Sequence, residues 1–256
     1  MLIDTHCHLD FSQFDPDREE VIGRAKKAGV GLLINIGSSL EGSRRSVELA
    51  EKYDFIYATV GVHPHYAEAA IKDSAADILA DLAQNKKVVG IGEVGLDYYR
   101  NLSPQDAQKE AFRSFIGLSK NAKLPLIIHS RQAHKDTLDI LKQECGGSIK
   151  GVMHCFSGDE SHLKECLDLG LYISFTANIT FDRAKGLKEL VKKVPLDKIM
   201  VETDAPFLAP QAFRGKRNEP SYITYLVEEL AGIYGMKKAD IEKVTAENAK
   251  RLFGLN

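Results

Sequence analysis

Eight short apolar runs, each followed by a stretch of helical periodicity, constrain this chain more than any other feature. The runs are Leu2–Ile3, Val30–Ile36, Ile56–Val60, Val88–Ile91, Leu126–Ile128, Gly151–Met153, Tyr172–Phe175 and Ile199–Val201. Helical stretches follow at Asp17–Ala28, Leu40–Tyr53, Ala75–Gln84, Pro104–Asn121, Ala133–Cys145, Glu160–Leu169, Ala184–Val194 and Pro220–Tyr234, with a last helix near Lys238–Leu252. Leu138, Leu141 and Cys145 fall on one helical face, and Ala107, Ala111, Phe115 and Leu118 repeat the pattern. Ser103-Pro104 reads as an N-cap and a first-turn proline. Gly29 and Gly170 stand where a helix hands over to the next strand and a left-handed residue is wanted. Eight strand–helix units in 256 residues match a closed (β/α)8 TIM barrel of the α/β class. A doubly wound open sheet often carries a Gly-rich phosphate loop after its first strand. Here the first run leads instead into His6-Cys7-His8. No linker, low-complexity tract or repeat intervenes, so residues 1–256 read as one domain.

Composition narrows the function. Lys and Arg total 34 against 36 Asp and Glu, a net charge of −2, which excludes a protein that coats nucleic acid by charge alone. A hydrophobic content of 44% excludes intrinsic disorder. No apolar run approaches the ~18–20 residues of a spanning helix. The N-terminus shows no signal-peptide pattern, so a cytoplasmic location is expected. Cys7, Cys145, Cys155 and Cys166 form no CxxC pair and read as reduced, partly buried thiols.

Polar residues cluster where the runs end, which is where a barrel carries its chemistry. His6 and His8 end the first run and point to one face, with Cys7 on the other. Glu93 ends the fourth run, His129 and Arg131 the fifth, His154 the sixth, and Glu202 and Asp204 the eighth. Six groups of metal-ligand type therefore come from five strands: His6, His8, Glu93, His129, His154 and Asp204. That exceeds the three or four protein ligands of a single zinc site, so two divalent ions sharing a bridging carboxylate are expected, with Glu93 as the bridge. Two such ions outweigh two carboxylates, and the excess positive charge suits an anionic substrate such as a phosphodiester.

Other residues read less sharply. Glu202 is expected behind a histidine ligand, as carboxylates often are. Cys155 is expected to face the helix layer, and His134 and His162 to be solvated. His63 and His65 flank Pro64 at the third strand's loop. Arg214, Lys216 and Arg217, just past the eighth strand, offer a phosphate grip or a structural turn. Arg131 and Arg100 add charge at the same rim. Tyr98–Tyr99 could stack on a base or simply edge the core.

Taken together, Asp4-Thr5-His6-Cys7-His8-Leu9, Gly61-Val62-His63-Pro64-His65, Gly92-Glu93-Val94-Gly95-Leu96-Asp97-Tyr98, Pro125-Leu126-Ile127-Ile128-His129-Ser130-Arg131, His154-Cys155-Phe156-Ser157-Gly158, Glu202-Thr203-Asp204-Ala205-Pro206, Arg214-Gly215-Lys216-Arg217-Asn218-Glu219-Pro220 and Asn248-Ala249-Lys250-Arg251-Leu252-Phe253 closely resemble the TatD family of metal-dependent hydrolases. The resemblance implies a TIM barrel and a divalent-metal centre. It implies one metal held by His6, His8, Glu93 and Asp204, and another held by Glu93, His129 and His154. It also implies a deoxyribonuclease, with some members acting as 3′–5′ exonucleases; DNA as the substrate follows from the resemblance alone. The expected catalytic residues are Glu93, Asp204, His63 and Arg131, with Mg, Mn, Zn, Ni or Fe as the admissible ions. A small-molecule hydrolase acting on amides, lactones or phosphotriesters is the alternative on the same barrel.

Overall fold

The computed structural model describes residues 1–255. Eight strands lie in sequence order and pair in parallel: β1 Leu2–Cys7, β2 Val30–Asn35, β3 Ile56–Val60, β4 Val88–Asp97, β5 Leu126–Arg131, β6 Gly151–Met153, β7 Tyr172–Phe175 and β8 Ile199–Val201. Ten helices accompany them among the described residues: α1 Arg18–Lys27, α2 Leu40–Lys52, α3 Ala67–Lys72, α4 Ala75–Leu82, α5 Gln105–Ala122, α6 His134–Cys145, α7 Glu160–Asp168, α8 Lys185–Val191, α9 Ile223–Tyr234 and α10 Lys238–Phe253. The fold is a (β/α)8 barrel. None of the described helices is long and apolar enough to cross a membrane.

β1 and β8 meet without a regular ladder. A single bridge joins Cys7 to Ala205, His8 N–H donates to Ala205 O (2.8 Å), and Asp204 N–H donates to His6 O (2.8 Å). Asp4, fully buried, accepts from the Thr203 N–H at 2.9 Å and from its hydroxyl, and Thr5 Oγ1 donates to Val201 O (2.9 Å). This seam brings His6 and His8 beside Asp204.

Two apolar clusters hold the barrel. The larger lies between strands and helices, with Phe14, Phe112, Phe115 and Phe175 wholly buried. The smaller gathers Ile3, Ile34, Val89, Ile127, Val152 and Met200 from six strands against Ala249, Leu252 and Phe253 of α10. The last helix therefore closes the end of the barrel opposite the strand carboxyl ends. Asn248 fixes it there, donating from Nδ2 to Leu196 O and Ile199 O, both at 2.8 Å.

Two local expectations change. Ser103 does not cap α5: Pro104 occupies the N-cap position with extended ψ, and the Ser103 hydroxyl reaches across to His65 O (2.9 Å). α3 adds a short helix absent from the periodicity reading, since its six residues are too few to show a period. Gly29 and Gly170 are left-handed as expected, at φ +88° and +83°.

Candidate metal centre

The centre depends on β4 being longer than its apolar run. The strand continues to Asp97, so Glu93 lies within it rather than at its end, at a register break between Ile91 and Val94. Gly92 and Gly95 allow this. Both have φ near +145° (+150° and +141°), and a Cβ would stand 2.6 Å from Ile127 O at Gly92 and 2.0 Å from His129 O at Gly95. Only glycines let β4 press this closely on β5. Glu93 is anchored by its N–H on Gly37 O (2.8 Å).

The two Glu93 oxygens face different nitrogens. Oε2 lies 3.5 Å from His6 Nε2 and 3.7 Å from His8 Nε2. Oε1 lies 2.8 Å from His129 Nδ1, 3.5 Å from His154 Nε2 and 3.7 Å from His63 Nε2. Asp204 Oδ1 completes the first side, 3.7 Å from His6 Nε2 and 3.6 Å from His8 Nε2. His6, His8 and Glu93 have ligand atoms clustered as a metal site requires, and so do Glu93, His129 and His154. The structure thus brings all six sequence-expected ligand residues into one cluster.

Tautomers follow from the surrounding bonds. His8 Nδ1 faces Ile36 O (3.1 Å), so it carries a proton and Nε2 presents a lone pair. That lone pair sits 3.1 Å from His6 Nε2, a contact that needs a proton or a cation between the rings. His154 Nδ1 meets Glu202 Oε1 at 2.7 Å, leaving Nε2 aimed at Glu93. Glu202 is thus the carboxylate behind His154, and it also accepts from Cys155 N–H (2.8 Å) and Ser174 Oγ (2.8 Å).

Electrostatics favour a cation here. Burial alone would raise the Glu93 pKa, but the surrounding imidazoles of His63, His154 and His129 hold it well below the carboxylate range. Asp204 is likewise lowered, its burial outweighed by His8 and His154. Burial opposes charge on His154, yet Glu202 and Glu93 carry its pKa up to about 10, so an ion at Nε2 would take the place of a proton there. Burial pushes His6 down, keeping it neutral as a ligand must be. Nitrogen and carboxylate donors in this mixture suit a divalent first-row ion or Mg.

Asp97 is the functional residue that sequence reasoning missed. Buried at the end of β4, its Oδ2 lies 3.0 Å from His65 Nε2 and 3.3 Å from His129 Nε2, turning Nδ1 of His129 toward Glu93. His65 is therefore held behind the centre. His63 Nδ1 accepts from the His65 N–H (3.2 Å), so Nε2 of His63 carries the proton and is a donor facing the cluster.

Three further expectations are corrected. Cys155 does not face the helices: β6 stops at Met153, and Cys155 turns left-handed (φ +45°) with Sγ 3.7 Å from Thr176 Oγ1. His134 and His162 are half-buried rather than solvated, 4.9 Å apart between ring centroids, with His134 held by Ser130 Oγ (3.0 Å). The basic loop divides. Arg217 donates to both Asp17 oxygens (2.8 and 2.7 Å) and to Gln13 O (2.6 Å), so it is scaffold, while Arg214 and Lys216 are exposed. At the other rim Tyr98 OH donates to Asp136 (2.8 Å), and the exposed Arg131 guanidinium lies 4.0 Å over the Tyr99 ring. Arg100 is exposed beside it.

A parallel barrel with histidines and carboxylates converging at the strand carboxyl ends has the architecture of a metal-dependent hydrolase. A family model described as TatD related DNase matches residues 3–254, and the chain belongs to that family. It is 47% identical over 256 residues, covering all of both chains, to a Bacillus subtilis protein named uncharacterized metal-dependent hydrolase YabD. It is 36% identical over 260 residues to the 3′-5′ ssDNA/RNA exonuclease TatD of Erwinia tasmaniensis, covering 99% of this chain and 100% of that one. The crystal structure of YJJV, a TatD homologue from Escherichia coli K12, superposes with a TM-score of 0.91 at 31% identity, covering 100% and 98% of the two chains.

Proposed function

We propose that this protein is a cytoplasmic nuclease that holds two divalent ions and hydrolyses phosphodiesters of single-stranded nucleic acid, with DNA 3′ ends as the first candidate substrate. One observation carries the reading: the Glu93 oxygens face two separate nitrogen sets, the disposition a bridging carboxylate needs. His6, His8, Glu93 and Asp204 would hold one ion, and Glu93, His129 and His154 the other. Ions there would supply Lewis acidity and bring the pKa of a bound water toward about 7.

The chain's own groups account for the remaining steps. Asp204, held ionised, accepts a proton from the attacking water and orients it. His63, with its proton fixed on Nε2, donates to a phosphate oxygen or to the leaving oxygen. Arg131, braced on Tyr99, contacts the phosphate at the rim. The relatives named as ssDNA/RNA exonucleases support nucleic acid as the substrate. Four free thiols suit a reducing compartment.

A substrate panel tests the reading. Single-stranded oligonucleotides should be cleaved in the presence of Mn or Mg, and carboxylic esters and lactams should not. Turnover of a lactam or lactone without turnover of oligonucleotides would replace the nuclease with the small-molecule hydrolase.

A further inference from the structure

Among the described residues, seven large apolar side chains are exposed, and Tyr66, Tyr99, Leu102 and Phe207 of these belong to loops at the strand carboxyl ends. Phe207 differs from the others in being continuous with the metal centre. The Phe11 ring stacks on His8, 4.6 Å between centroids at 24°. Phe207 meets Phe11 edge-on at 6.1 Å and 76°, and meets His8 at 6.4 Å and 66°. An aromatic surface therefore begins on a candidate ligand and ends in solvent, with Phe207 48% exposed.

The exposure is enforced by the backbone. Phe207 N–H donates to Asp204 O (2.8 Å). Asn218, fully buried, donates from Nδ2 to Phe207 O (2.7 Å) and Thr203 O (2.9 Å) and from its N–H to Pro206 O (3.0 Å). The turn is clamped on both sides of the ring, so the ring forgoes burial against Phe11. A flat apolar surface fixed beside a phosphodiester centre suits the one flat apolar group every nucleotide carries next to its phosphate.

Building on the nuclease reading, the geometry points to Phe207, backed by Phe11, as a platform on which an unpaired base flanking the cleaved phosphate stacks. A paired base keeps its faces within the duplex, so the platform selects single strands. The role of Asn218 is to position that ring.

The test crosses a protein variant with a substrate variant. Wild type, Phe207→Ala and Phe207→Leu are assayed as metal-loaded full chains on a single-stranded oligonucleotide and on a set lacking the base at each position flanking the cleaved bond. Stacking predicts that Phe207→Ala lowers kcat/KM about tenfold on the intact strand. It predicts almost no loss on the one substrate whose stacking base is missing. Phe207→Leu, which keeps the apolar volume but not the flat ring, should also lose activity, with bound metal unchanged by mass spectrometry. An equal loss on every abasic substrate, or no loss on the intact strand, overturns the platform while leaving the nuclease reading intact. Absence of oligonucleotide cleavage by wild type overturns the nuclease reading and the platform together.

Discussion

At the residue scale the centre is a set of imidazoles whose protons are assigned by what lies behind them. Ile36 O fixes His8, Glu202 fixes His154, Asp97 fixes His129, and the His65 backbone fixes His63. Glu93 is the residue both sides share. Glu93→Ala should empty both sites and abolish activity, whereas His129→Ala should chiefly empty one. Metal content by mass spectrometry should therefore fall further for Glu93→Ala, and equal losses would argue against a shared carboxylate. His6 and His8 were legible in the sequence because a two-residue spacing in an extended segment puts both on one face. Asp97 was not, because its place depends on β4 continuing beyond its apolar run. That continuation follows from the Gly92 and Gly95 contacts with β5, which no local pattern displays.

At the scale of elements, the loop between β8 and α9 is braced at one end and open to solvent at the other. Arg217 ties it to the start of α1, and Arg24 of α1 is paired in turn with Glu219 (2.7 Å). The Arg217 hydrogen bond, outweighing what little burial does, holds Asp17 below the usual carboxylate range. A depressed folded-state pKa contributes stability above the unfolded value of about 3.9, lost as pH falls through the folded value. Arg217→Ala should thus cost about 1 kcal/mol or less, both groups being partly exposed. In denaturant titrations that gap should hold above about pH 5 and close below about pH 4. Lys216 makes no ion pair among the described residues. Lys216→Ala should raise KM with kcat nearly intact, and shallow the salt slope of single-strand binding by about 0.7 per lost phosphate contact. An unchanged slope would move the phosphate grip to Arg131 and Arg100. The cluster was visible in the sequence; that Arg217 is scaffold required knowing that Asp17 and Phe14 lie beneath it.

At the scale of the whole molecule, the barrel is held at one end by α10 and at its seam by Asp4, Thr203 and the His6–Asp204 backbone bond. The strand count was legible because each parallel strand, covered on both faces, reads as a short apolar run. The seam was not, since it rests on pairings some 200 residues apart in sequence, such as Asp4 with Thr203 (|i−j| = 199). Asn248→Ala removes the donor for two carbonyls at the foot of β8 and should cost about 1–3 kcal/mol. Thermal melts should show a Tm lower by roughly 2–4 °C per kcal/mol for a chain of this size.

The central claim is that this barrel mouth is a metal-dependent nuclease. Its most direct test is product analysis on 5′-end-labelled single-stranded DNA. The protein is stripped of metal by chelation and then resupplied with Mg, Mn or Zn. The account predicts no cleavage by the stripped protein. On metal return it predicts a ladder shortening from the 3′ end, absent in Glu93→Ala. Cleavage that survives chelation, or no cleavage of DNA with any of these ions, would contradict it.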